Sequence, residues 1–332
     1  VILTLVLAAG VILLAGVRLT KIADHLADRT GLGEALIGAV LLGAVTSLPG
    51  LTTSVTAAWR GYAELAVSNS LGGIAAQTLF LAAADIAYRR ANLEHAAASL
   101  ENMMQATMLI GLLALMITAI AAPGFSVFAI HPTSLVMIAF YIIGLRITKA
   151  AREKPGWQAS ETKETRQDEP EPKAKDRSLT KLIAGFAGLG LLTGIAGFAV
   201  GRGAEGATVV FGLSESVAGA FLAAIVTSLP ELVTTIAAVR RGALTLAVGG
   251  IIGGNAFDTL FVAGSDIAYR EGSIYEAIGP DQLFLSGLAI AMTAALLLGL
   301  LRRQEQGPAQ IGFETWVVIG LYFAGSSILI AR

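Results

Sequence analysis

Two carboxylates stand where an apolar chain can least accommodate them. Glu231 directly follows Thr227-Ser228-Leu229-Pro230 in the middle of one long apolar stretch, and Asp258 lies within IGGNAFDTLF in the next. A carboxylate at mid-bilayer costs about 3 kcal/mol or more unless it faces the bundle interior or a partner, so each is a functional candidate by default. Proline removes a backbone donor and clashes with the carbonyl one turn back, which opens a helix. Carbonyls freed near Thr227 cannot stay bare in lipid and must face protein, water or an ion. The hydroxyls of Thr227 and Ser228 add oxygens at the same break, and Glu231, four residues after Thr227, shares its helical face. Asn255 supplies an amide oxygen near Asp258. Oxygen-rich broken helix beside a carboxylate suits a hard cation. A plain proline kink bonded to neighbouring helices is the competing reading.

The same pattern is written twice. VTSLP at Val45–Pro49 recurs at Val226–Pro230, and TLF with DIAYR recurs at Thr78–Arg89 and Thr259–Arg270. The offset is constant (230 − 49 = 181 and 259 − 78 = 181), and about half the positions from Ala39 to Arg89 are identical to their mates. Two related breaks favour an ion site over a chance kink, which adds Thr46 and Ser47 to the candidates. The copies differ where chemistry is expected: Gly50 stands against Glu231, and Gln77 against Asp258. Asp85 and Asp266 recur before Ala-Tyr-Arg at span ends and read as helix-end anchors or interfacial ion pairs.

These residues need a membrane scaffold. The chain is 55% hydrophobic and 14% charged, with charges clustered between long apolar runs. No cysteine is present, which excludes disulfides and thiolate-held zinc, and His25, His95 and His131 are too scattered for a metal site and suit interfacial or loop positions. No cofactor, nucleic acid or obligatory protein partner is expected; the partners are inorganic cations and the bilayer. Ten spans are predicted, at roughly 1–19, 31–58, 62–88, 102–121, 130–148, 180–201, 212–239, 243–268, 281–301 and 312–331. The first lacks a basic start and a small-residue cleavage site, so it is expected to be retained. Placing the N-terminus outside puts Arg18, Lys21, Arg29, Arg89, Arg90, Arg240, Arg241, Arg302 and Arg303 inside, with Arg60, Arg202, Arg270 and Arg332 outside. That asymmetry predicts an N-out, C-out protein. Five spans per half is odd, so the second copy enters upside down. The expected fold is all-α, with ten helices as two inverted five-helix repeats and broken helices 2 and 7. Residues 1–148 form the first repeat and 180–332 the second. Residues 149–179, charged and carrying Pro155, Pro170 and Pro172, form a cytoplasmic linker.

The motifs resemble the α-repeats of the calcium:cation antiporter superfamily, sodium/calcium exchanger type. The resemblance covers both halves and leaves out mainly the linker. It implies a central site where calcium and sodium compete, with Thr227, Ser228, Glu231, Gly254 and Asp258 from the second repeat and Thr46, Ser47, Gly50, Gly73 and Gln77 from the first. The chain departs from the family pattern at Gly50, where a glutamate is expected, and at Gly73 and Gly254, where serines are expected. Two carboxylates remain, enough to neutralise one divalent ion. Calcium takes about six to eight oxygens, so carbonyls or waters must supply the balance, with the room beside Gly50 the expected place for them.

The leading expectation is a secondary active antiporter that exchanges Ca2+ against Na+ or H+ by alternating access. A monovalent exchange of Na+ or K+ against H+ suits the lost charge, and a degenerate, non-transporting ion-binding relative is the third reading. An enzyme is not expected, since no H-E-x-x-H or G-x-S-x-G is present. The resemblance implies that spans one and six slide across a core of broken helices. The small, cysteine-free chain suits a prokaryotic inner membrane.

Overall fold

Apolar runs that must lie in lipid leave the backbone few ways to satisfy its polar groups, and hydrogen-bonding within each segment as a helix is the simplest. The computed structural model describes residues 1–30, 43–88, 91–122, 124, 126–153, 156–157, 178–307 and 311–331. Among these the only extended pairing is an isolated bridge between Val127 and Ile130. The first copy runs α1 (Ile2–Thr30), α2 (Gly43–Thr46), α3 (Leu48–Trp59), α4 (Ala63–Ala87), single-turn α5 (Leu93–Ala96), α6 (Leu100–Ala121) and α7 (Pro132–Glu153). The second runs α8 (Leu179–Phe211), α9 (Glu215–Thr227), α10 (Leu229–Arg241), α11 (Leu244–Asp258), α12 (Leu260–Ala268), single-turn α13 (Ile274–Ala277), α14 (Pro280–Arg302) and α15 (Phe313–Ala331). Counting α11 and α12 as one, eight stretches among the described residues are long and apolar enough to cross a membrane, or nine if the bent pair α9–α10 is one span. Residues 31–42 of the expected second span, and most of the expected linker, lie outside the described residues; α7 itself continues to Glu153.

Both Thr-Ser-Leu-Pro runs interrupt a helix, but less than expected. Pro49 and Pro230 sit in the first turns of α3 and α10, where a missing donor is tolerated. The amide of Ser47 still reaches the Gly43 carbonyl (2.9 Å), and that of Leu51 reaches Ser47 (3.0 Å); the Ser228 and Leu232 amides repeat this at 3.0 and 3.3 Å. The chain therefore turns at one residue instead of unwinding over a turn, and α9 and α10 meet with a 41° bend. An unforeseen irregularity precedes the second break, a π-helical turn over Ala218–Ala223. It lies where α9 presses on α4: a Cβ on Gly219 would stand 2.5 Å from the Leu65 carbonyl oxygen, and one on Gly72 would stand 2.5 Å from Ala220 Cα. Small residues allow this close approach.

The two long helices run past their expected ends at 19 and 201. On α8 the charges that suggested an end are absorbed by packing, with Glu205 accepting from Arg60, just past the end of α3, at 2.7 Å and from Arg202 at 2.6 Å. Each long helix packs on the bent helix of the other copy: α1 lies along α10, and α8 lies along α3. Gly16 faces Pro230, and Gly197 faces Pro49, pairs related by the repeat offset (16 + 181 = 197 and 49 + 181 = 230).

Asp85 and Asp266 act as anchors, and neither is in an ion pair among the described residues. Asp85 accepts from the Leu93 amide (2.7 Å), the Thr315 hydroxyl (2.7 Å) and the Gly312 amide (3.4 Å). Asp266 accepts from the amides of Ile274 (2.9 Å) and His131 (2.7 Å) and the hydroxyls of Ser134 (2.7 Å) and Ser273 (3.1 Å). Each aspartate thus ties the end of its span to the following single-turn helix and to the start of a span from the other copy. The three histidines are buried.

Candidate cation-binding site

The two bends face each other across α4 and α11, and the eight candidate residues are all buried, none more than 4% exposed. Ser47 Oγ donates to Glu231 Oε1 at 3.3 Å and lies within hydrogen-bonding reach of the Asp258 carboxylate. Gln77 Nε2 donates to Asp258 Oδ2 at 2.6 Å and to Ser228 Oγ at 3.3 Å. Ser47, Gln77, Ser228, Glu231 and Asp258 therefore form one cluster. Four of its five members are repeat mates meeting across the copies (47 + 181 = 228 and 77 + 181 = 258), and the mate of Glu231 is Gly50. Thr46 donates to the Gly43 carbonyl at 3.1 Å and also borders Glu231. Thr227 and Asn255 sit at the rim. The Thr227 hydroxyl turns to Asn69 Oδ1 (3.3 Å), while Asn255 Nδ2 turns to Thr78 Oγ1 (3.1 Å).

Four buried oxygens here accept no hydrogen bond among the described residues: Gln77 Oε1, Glu231 Oε2, Asn255 Oδ1 and Asp258 Oδ1. An unsatisfied buried acceptor costs about 1–3 kcal/mol, more when charged. The ion pairs among the described residues lie elsewhere, at Arg60, Arg152 and Arg202. Orphaned oxygens around two carboxylates call for positive charge, either a cation or protons. No set of three His, Cys, Asp or Glu side chains among the described residues is placed to hold a metal ion, so most ligands for a cation would be neutral oxygens.

Two residues were missed in the sequence. Asn69 on α4 donates to the Gly50 carbonyl (3.0 Å) and to Ser54 Oγ (2.9 Å) while accepting from Thr227, so it ties both bends together. The signal for it was present: its repeat mate is Gly250, another difference between the copies. Phe261 was invisible, being Phe80 in the first copy. It corrects one expectation. A Cβ on Gly50 would stand 2.6 Å from the Phe261 ring, so the space foreseen for water is occupied by an aromatic side chain. Gly73 and Gly254 are looser; their Cβ atoms would meet Ser228 Oγ at 3.4 Å and Gln77 Oε1 at 3.6 Å.

Comparison with known proteins gives this arrangement its setting. The sodium/calcium exchanger protein family matches residues 1–148 and 181–330. The chain belongs to that family. Like the family, this exchanger is an integral membrane protein of transporter type, within the calcium:cation exchanger superfamily. CaxA of Alkalimonas amylolytica, which carries the name of an antiporter, is 27% identical over 287 residues, 85% of either chain. The inner membrane protein YrbG of Escherichia coli is 41% identical over 96 residues, 28% of this chain and 30% of that one. Among solved structures, the sodium-calcium exchanger NCX_Mj superimposes with a TM-score of 0.63 at 20% identity, covering 100% of this exchanger and 97% of that chain. The H+/Ca2+ exchanger CAX gives a TM-score of 0.70 at 14% identity, covering 99% and 85%. At these identities the structures establish a shared fold.

Proposed function

We propose that this exchanger is a secondary active antiporter that moves Ca2+ against Na+ or H+ by alternating access. The observation that carries it is the set of four unpartnered oxygens around Glu231 and Asp258, at the junction of two duplicated halves. Glu231 and Asp258 supply the charge. Ser47, Ser228, Gln77 and Thr46 supply neutral oxygens, with Thr227 and Asn255 turning in from the rim. Ten spans in two inverted five-helix repeats, entering N-out and leaving C-out in a prokaryotic inner membrane, would present this one site to either side in turn. In that scheme α1 and α8 slide over the bent helices; the crossed contacts of Gly16 with Pro230 and Gly197 with Pro49 supply two matched tracks. The names of NCX_Mj and CAX support calcium as the ion and leave sodium and protons as rival counter-ions.

One observation favours a second reading. Phe261 packed on Gly50 leaves no space for further charge or water on that side, which suits exchange of Na+ or K+ against H+ with Glu231 and Asp258 alone. Radiocalcium uptake into proteoliposomes, under a sodium gradient, a proton gradient or neither, separates the two. Uptake is expected under one gradient and is expected to fall at least about tenfold in Glu231→Gln, the loss of an interaction worth about 1.4 kcal/mol or more. No calcium uptake under any gradient, with sodium/proton counterflow present, would select the monovalent reading.

A further inference from the structure

A second acidic group is buried away from the cation site and plays no part in it. Glu94, on single-turn α5, is 0% exposed, and neither of its carboxylate oxygens has a hydrogen-bond partner among the described residues. Glu314, at the start of α15, is equally enclosed; its Oε1 meets Asn92 Nδ2, and its Oε2 has no partner. The two carboxyl groups lie against each other within hydrogen-bonding reach. An ionised carboxylate only accepts, so two of them can bond only through a proton carried by one. Asp85 stands beside the pair, but its own charge is met by the three donors described above.

The surrounding charges do not relieve Glu94. On its own turn, His95 meets the Arg303 carbonyl through Nδ1 at 2.8 Å. From α14, Arg302 stacks over the Phe313 ring at 5.1 Å, and Arg303 follows it. Beyond α14, Glu305 gives its carbonyl to the Asn92 amide at 3.0 Å. The only titratable group on α11 is Asp258, in the cation site. Asp281 on α14 stands at the far end of that helix, and Arg89 and Arg90 lie outside the described residues. Burial first, and then Asp85 and Glu314, the charged neighbours that act on Glu94 among the described residues, hold its carboxyl well above the ordinary glutamate value.

The duplication supplies a control. The equivalent anchor around Asp266 uses Tyr275 where the first has Glu94 (94 + 181 = 275), and Thr133 where the first has Glu314 (133 + 181 = 314). That anchor closes without the acidic pair. The pair is therefore an addition to one of two matched anchors, not a requirement for building one.

We propose that Glu94 and Glu314 share one bound proton, forming a proton-binding site separate from the transport site at the anchor that joins α4, α5 and α15. Losing that proton places a second full charge beside Asp85 in a buried cluster and loosens the anchor, so the site senses pH without carrying the transported ion. This inference does not depend on which cation the central site carries.

Infrared difference spectra of the full chain in lipid nanodiscs, recorded across a pH titration, test it. A protonated-carboxyl stretch present in the unmodified protein at neutral pH is expected to be missing in Glu94→Gln. The same stretch is expected to shift in frequency in Glu314→Thr, which removes the carboxylate that shares the proton and installs the residue used by the other anchor, and to stay unshifted in Glu231→Gln. If both anchor variants fold, by cooperative melting, and keep the full set of protonated-carboxyl bands at unchanged frequencies, no proton is shared there. If Glu94→Gln does not fold, Glu314→Thr decides alone, and an unshifted band in it overturns the proposal.

Discussion

At the residue scale, the site is defined by an exchange of chemistry between the two copies: a carboxylate at 231, and at 50 a glycine with an aromatic ring pressed onto it. Filling position 50 should be costly, since a Cβ there already stands 2.6 Å from the ring. Gly50→Glu alone is expected to lose about 1–3 kcal/mol of stability, the usual range for overpacking, seen as a lower melting temperature in detergent. Adding Phe261→Ala should recover most of that loss and strengthen divalent binding, because the new carboxylate then has room to face the site. Equal stability of the single and double variants would contradict this packing. Glu231, Asp258 and Gln77 were legible in the sequence because polar residues stand out in apolar surroundings and because their mates differ. Phe261 was not: identical aromatic residues in both copies carry no contrast, and its role arises only where the fold lays it on the other copy's break.

At the scale of elements, the breaks were legible from proline, but their narrowness was not. Whether a proline opens a full turn depends on what packs around it, and here the amides of Ser47 and Ser228 keep their helical partners. The π turn of α9 was illegible for a related reason, since it lies at a contact with α4 that no local pattern announces. The crossed contacts give a sharper test. A Cβ on Gly197 would stand 2.3 Å from both Cα and O of Pro49, whereas one on Gly16 would stand 3.2 Å from Pro230 Cα. Gly197→Ala should therefore lower stability and transport far more than Gly16→Ala, despite the helix propensity that alanine gains over glycine. Thermal melts and uptake of the two variants, side by side, check this. Similar losses would mean that α1 and α8 bear equally closely on their partners' bends, against the packing described.

At the scale of the whole molecule, the buried Glu94 makes stability depend on pH. Its folded carboxyl holds a proton more tightly than the unfolded one, whose value is near 4.5. The stabilisation is complete below that value and is lost as pH rises from it towards the raised folded value. Melting temperature should therefore decline with rising pH across that window, and Glu94→Gln should flatten the decline; an unchanged slope would count against the shared proton. The crossed packing of α1 on α10 and α8 on α3 also bears on biogenesis. A ribosome that has delivered only the first half has inserted α1 without α8 and α10, the helices it lies along, and α3 with one flank open to lipid. The membrane must hold these helices as separate tenants until α8 and α10 arrive, so insertion and assembly are separated in time. The interval in which the half-built site faces the bilayer is set by how fast the second half is translated.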